Sequence, residues 1–63
     1  MKVIIEKFPT MEGKMMVVNK CIIRNVYKVE PVWEMEKFTA LKVFAYDAVY
    51  TVEDVNGFQV MDE

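Results

Sequence analysis

One cysteine and no histidine occur in this 63-residue chain, so neither an intramolecular disulfide nor a four-ligand zinc centre can hold it together. A domain of this length buries only roughly 60% of the surface its unfolded chain exposes, which leaves apolar burial as the source of stability. The composition supplies that material in excess. Hydrophobic residues make up 54% of the chain, against about 45–50% in an ordinary domain on a count that also includes glycine. A small sphere cannot hide so many apolar side chains, and the surplus leads us to expect cover from another molecule, either a second copy in a homo-oligomer or a different protein.

The amino-terminal run MKVIIEKF begins with an early lysine, but its apolar stretch stops at Glu6. That is shorter than the about 7–15 apolar residues of a secretory signal, and no stretch approaches the roughly 18 of a membrane span. We therefore expect a chain that is unexported, keeps off the membrane and resides in the cytoplasm. A single free thiol agrees with a reducing compartment.

The net charge of −2 conceals a division. Residues 1–32 carry six cations against three carboxylates, a net of +3, and residues 33–63 carry two cations against seven carboxylates, a net of −5. Such a chain can seat one half on the other, join copies head to tail, or present separate basic and acidic surfaces.

No linker, repeat or low-complexity segment interrupts residues 1–63, which read as one small domain. KVIIEKF (2–8) predicts a strand and PTMEG (9–13) a turn punctuated by Pro9 and Gly13. Residues 14–19 and 21–29 predict two further strands, with an apolar face of Cys21, Ile23, Tyr27 and Val29 and a charged face of Lys20, Arg24, Lys28 and Glu30. Met15, Met16, Val17 and Val18 fill both faces, so either that first part is buried on both sides or a turn or bulge near Asn19 and Lys20 shifts the parity.

Residues 31–40 fit two descriptions. Pro31 at a first helical position, Glu34 and Glu36 early, and Lys37 and Lys42 late suit a short helix. Glu30 is a poor cap, and Val32, Trp33, Met35, Phe38 and Leu41 form no narrow stripe, which suits more strand. From Leu41 the residues are β-like again, and Asn56-Gly57 matches a type I′ turn that closes a terminal hairpin. The fold class expected is mainly β, a small five-stranded curled antiparallel sheet or barrel with a short helix near 31–40 if that segment is not strand.

Cys21 falls on the apolar parity of its strand, away from Lys20 and Arg24, and reads as a packing residue; without histidine it has no imidazole base. A hairpin at Asn56-Gly57 would set Glu53 and Asp62 diagonally on one face, about 7–8 Å apart. With no further ligand converging there, we expect no metal site, and no cofactor motif occurs. Lys20, Arg24 and Lys28 alternate with Ile22 and Val26 on one strand face, as a phosphate-tracking strip would, but Tyr27 points away by parity and supplies no stacking ring. Charged residues of this kind also protect strand edges from aggregation.

Around residues 43–50 parity places Phe44, Tyr46 and Tyr50 on one face and Val43, Ala45 and Val49 on the other, so both faces are apolar. A strand of that kind belongs inside a dimer or under a partner. The sequence thus points to a small non-catalytic binding protein, of adaptor or inhibitor type, that engages a larger protein through Phe44, Tyr46 and Tyr50 with Glu53 and Asp54 at an acidic rim. A phage or mobile-element origin would suit such a protein. The alternative is a single-stranded nucleic-acid-binding small β-barrel that uses Lys20, Arg24 and Lys28. No nucleophile and base pair up, which makes an enzyme the least supported class.

Overall fold

The computed structural model describes residues 1–63 and contains eight strands and no helix. They are β1 (Lys2–Lys7), β2 (Thr10–Glu12), β3 (Met15–Val17), β4 (Lys20–Ile23), β5 (Val26–Glu34), β6 (Lys37–Ala45), β7 (Val49–Glu53) and β8 (Val55–Met61). All pairings are antiparallel and fall into three small sheets, ordered β4-β1-β8, β2-β3 and β5-β6-β7. The expected all-β class is present, but the single five-stranded sheet is not, and no barrel closes. No helix is long and apolar enough to cross a membrane.

Alternation builds the core. In β1, Val3 and Ile5 are fully buried, and in β6 so are Leu41 and Val43, with Ala45 nearly so. These are the central strands of the two larger sheets. Their inward residues meet in one cluster completed by Ile23, Val26 and Val55, with Cys21, Val29, Phe38 and Val52 packed at its margin. Cys21 therefore occupies the packing position expected of it. Only nine residues are buried, whereas sixteen large apolar residues are exposed, so the core consumes a minority of the hydrophobic material.

The chain passes between the two sheets at two corners of the same kind. Between β4 and β5, Asn25 takes φ of 57°, and between β7 and β8, Asp54 takes φ of 57°. Asn and Asp enter this left-handed region at lower cost than other side-chain-bearing residues. Backbone bonds pin both corners. The Val26 N–H donates to the Met1 carbonyl at 2.8 Å, the Met1 amine returns a bond to the Val26 carbonyl at 3.2 Å, and the Tyr46 N–H donates to the Asn25 carbonyl at 3.0 Å. At the second corner the Asp54 N–H donates to the Thr39 carbonyl at 3.2 Å, and the Asp54 carbonyl accepts from the Phe8 N–H at 2.9 Å.

Several sequence expectations are corrected here. Residues 31–40 are not helical: they belong to the β5–β6 hairpin, which turns at Met35 (φ 50°) and Glu36 (φ 64°). Pro31 is compatible because β5 is an edge strand, where a missing N–H need not break a ladder. Asn56 and Gly57 are not a turn but lie inside β8, where the register against β1 slips between Glu6 and Lys7; the reversal into β8 is at Asp54. Thr10–Glu12, expected as turn, is a strand that pairs Met11 with Met16, and the reversal falls at Gly13 (φ 61°) and Lys14. The strand expected over 21–29 is interrupted at Arg24-Asn25.

Register sets Lys20 opposite Glu6, Lys42 opposite Glu30 and Lys37 opposite Glu34, so cations and carboxylates neighbour one another within sheets.

The β5–β6 turn carries two left-handed residues that are neither Gly nor Asn, at a cost of about 1 kcal/mol or more each. Met35 is wholly exposed and contributes no packing. Combining Met35→Asn with Glu36→Gly is expected to raise unfolding free energy by about 1 kcal/mol, because both prefer the geometry the turn already has. Urea unfolding followed by the fluorescence of Trp33, two residues before the turn, measures this; an unchanged midpoint would show that the turn is not strained.

Candidate binding face of the third sheet

The register of β5-β6-β7 defines its outer face as three rows: Lys28, Phe44 and Val49; Glu30, Lys42 and Thr51; Val32, Ala40 and Glu53. The opposite, core-directed face carries Val29, Val43 and Tyr50, then Pro31, Leu41 and Val52. Phe44 and Tyr50 consequently lie on opposite faces. The three-residue break at Tyr46–Ala48 between β6 and β7 shifts the parity, so Val49, not Tyr50, is the cross-strand neighbour of Phe44.

An aromatic cluster occupies one end of the outer face. The register slip between Val26 and Lys28 makes Tyr27 the extra residue of a β-bulge, and bulges re-aim the side chain they displace. The Tyr27 ring lies 5.0 Å from that of Tyr46 and 6.2 Å from that of Phe44, both tilted by 47°. Lys28 Nζ and Lys42 Nζ lie 5.2 and 5.4 Å from the centre of the Phe44 ring. Such cation–ring contacts contribute about 0.5–1 kcal/mol at exposed sites. Phe44 is half-buried beneath this cover, while Tyr46 is 80% and Tyr27 50% exposed. Sequence parity turns Tyr27 away from Lys28; the bulge brings it beside Phe44, the ring that Lys28 and Lys42 approach.

The other end of the face is acidic. Glu34, Glu53 and Asp54 border a shallow groove of about 300 Å³ over Val32, Thr39 and Ala40. Midway, Lys28 Nζ and Glu30 Oε2 stand 3.5 Å apart, both well exposed, a pair of small energetic weight in water. The face is therefore polar along its length, with rings and lysines at one end and carboxylates at the other.

The remaining candidates are dispersed. Lys20 lies on β4 opposite Glu6 in the β4-β1-β8 sheet, and Arg24 follows β4 at the corner, so neither joins Lys28 in a continuous basic strip. Glu53 stands opposite Ala40, and Asp62 follows the end of β8, where Met61 pairs with Lys2, so the expected diagonal of Glu53 and Asp62 does not form. No group of three or more His, Cys, Asp or Glu side chains is arranged to hold a metal ion. Cys21, Ile23, Arg24, Asp47, Tyr50 and Val52 border a cleft of about 440 Å³ between β4 and β7. Within it the Tyr50 hydroxyl donates to Asp47 Oδ2 at 3.0 Å.

No protein-family model matches the chain, and comparison with curated proteins and with solved structures finds no similar protein.

The carboxylate beside Tyr50 accepts its hydroxyl hydrogen bond and repels the phenolate, and both effects hold the phenol above its ordinary value near 10. Asp47→Asn is expected to lower the Tyr50 value toward that of a free tyrosine, read by alkaline titration of phenolate absorbance. With the value raised in the folded state, this bond contributes below the unfolded tyrosine value and is lost as pH rises through the higher folded one. An identical titration in the variant would show that the bond does not persist in water.

Proposed function

We propose that the chain is a small cytosolic, non-catalytic binding protein of adaptor or inhibitor type that seats a larger protein on the outer face of the β5-β6-β7 sheet. The observation that carries this reading is the contact of Tyr27, Phe44 and Tyr46 at one end of a face whose other end is acidic, with Tyr46 80% exposed. Aromatic rings held by neighbours lose little freedom on binding and supply most of the affinity where they are covered. Glu53 and Asp54 then steer a basic region of the partner, and Lys28 and Lys42 an acidic one, which fixes the orientation of docking. Tyr50 takes no part in the anchor, since it lies on the opposite face of the sheet and is tied to Asp47.

A second reading draws on the same rings. Lys28 and Lys42 beside Phe44 provide cations next to stacking surfaces, as single-stranded nucleic acid requires. The acidic end and the net charge of −2 oppose it, because phosphates would pass near Glu34, Glu53 and Asp54. Two lysines would also give a salt slope of only roughly −1.4.

Tyr46→Ala decides whether these rings are the anchor. Removing a ring this exposed leaves the core untouched, and it should weaken capture of the protein partner by about 2 kcal/mol, or roughly thirtyfold. Tagged wild type and variant are compared for retained proteins from lysate of the native host, with and without nuclease. Loss of a nuclease-resistant protein with the variant supports the reading. Equal retention by the folded variant removes the anchor, and retention that vanishes with nuclease transfers the face to nucleic acid.

A further inference from the structure

The two three-stranded sheets have four strands with one edge unpaired: β4, β8, β5 and β7. Exposed edges invite pairing with other chains and are ordinarily blocked by charge or proline. β4 carries Lys20, β5 carries Lys28, Glu30, Pro31 and Glu34, and β7 carries Glu53. β8, with the sequence VNGFQVM, carries neither charge nor proline. Its inward face is also only partly covered beyond Val55. Phe58 and Val60 stand opposite the fully buried Ile5 and Val3, and so share the core-directed face, yet they are 42% and 44% exposed. Phe38 stacks on Phe58 at 6.3 Å and Trp33 meets Phe38 edge-on at 5.5 Å, a row of rings that ends at this open edge.

We propose that β8 pairs antiparallel with β8 of a second copy about a two-fold axis at Gln59, which joins the two β4-β1-β8 sheets into one of six strands. The occupant follows from self-complementarity. An antiparallel pair related by a two-fold keeps inward residues on the same side, so only registers that match parity are allowed. Centring on Gln59 sets Phe58 against Val60 of the second copy, and the reverse, so the two half-exposed inward side chains cover each other. It sets Gln59 against Gln59 and Gly57 against Met61. The ladder spans Gly57–Met61 and stops before the slip at Asn56, where further pairing would fail. Asp62 and Glu63 follow the end of the strand, where the Asn25 N–H donates to Glu63 Oε1 at 2.7 Å, so no charged residue lies within the ladder.

A five-residue ladder with one apolar layer is smaller than a standard interface of about 800 Å² per partner, so the dimer is reversible. It is independent of the aromatic face, which belongs to the other large sheet.

Sedimentation equilibrium from about 1 µM to about 1 mM, the range in which such an interface dissociates, tests the proposal. Wild type is expected to shift from monomer to dimer across the series. Gln59→Lys and Gln59→Glu each place like charges opposite one another and should weaken association roughly fivefold or more. Gln59 is exposed and lies on the outward face of its sheet, so neither change touches the core, and circular dichroism confirms folding. An equal mixture of the two variants should recover dimer, because lysine then faces glutamate. A wild type that stays monomeric throughout, association indifferent to both substitutions, or a mixture that fails to recover each overturns the β8 pairing.

Discussion

The inward faces of β1 and β6 meet through Val3, Ile5, Leu41 and Val43, the four most deeply buried large side chains of the two central strands. The outer strands of both larger sheets pack against this contact. With one cysteine unable to form an internal disulfide, the sheets are held together by this cluster and by the bonds at two corners. Burying a Val, Leu or Ile side chain contributes about 1.5–3 kcal/mol, so the loss of one of the four would remove a large share of a small domain's margin.

That economy explains where the open surfaces fall. A cluster fed mainly by central strands leaves the sheet edges free to splay. Between β4 and β7 the result is the cleft bordered by Cys21 and Tyr50; at β8 it is the uncovered inward pair Phe58 and Val60. The β2–β3 hairpin contributes nothing to the cluster, and Met11, Met15 and Met16 remain 61–72% exposed. The excess of apolar residues is thus a property of the molecular surface and not of a larger core.

Alternation is readable in sequence wherever the chain runs straight. The inward Val43 and Ala45 and the outward Phe44 follow from parity alone, as does the packing role of Cys21. Parity fails where the chain inserts or removes a residue. The bulge turns Tyr27 itself out of its parity while Lys28, Val29 and Glu30 keep theirs, and the break at Tyr46–Ala48 reverses the facing of β7, which is why parity misses Tyr27 as a partner of Phe44 and wrongly joins Tyr50 to it. Nothing in the residue types announces either event. The turns mislead for a related reason: Asn56-Gly57 has turn chemistry but is held in β8 by pairing with β1, while Met35-Glu36 has none and turns because the long β5–β6 ladder on either side imposes it. Tertiary pairing outweighs local preference when the preference is worth about 1 kcal/mol per residue and the ladder is many residues long.

The two open surfaces differ in symmetry, and symmetry decides what each can accept. The outer face of β5-β6-β7 has distinct ends, with rings and lysines at Phe44 and carboxylates at Glu53, so a second copy laid across it antiparallel would meet lysine with carboxylate but would leave a ring cluster against an acidic groove. On the proposed reading, an unlike partner with an apolar anchor site and a basic region set apart would satisfy both ends. The edge of β8 is neutral and carries an apolar inward residue on each side of Gln59, Phe58 and Val60, which are similar in exposure. A neutral edge offers an unlike protein little to recognise beyond backbone, whereas a copy of itself is supplied at matching register and concentration with every molecule made.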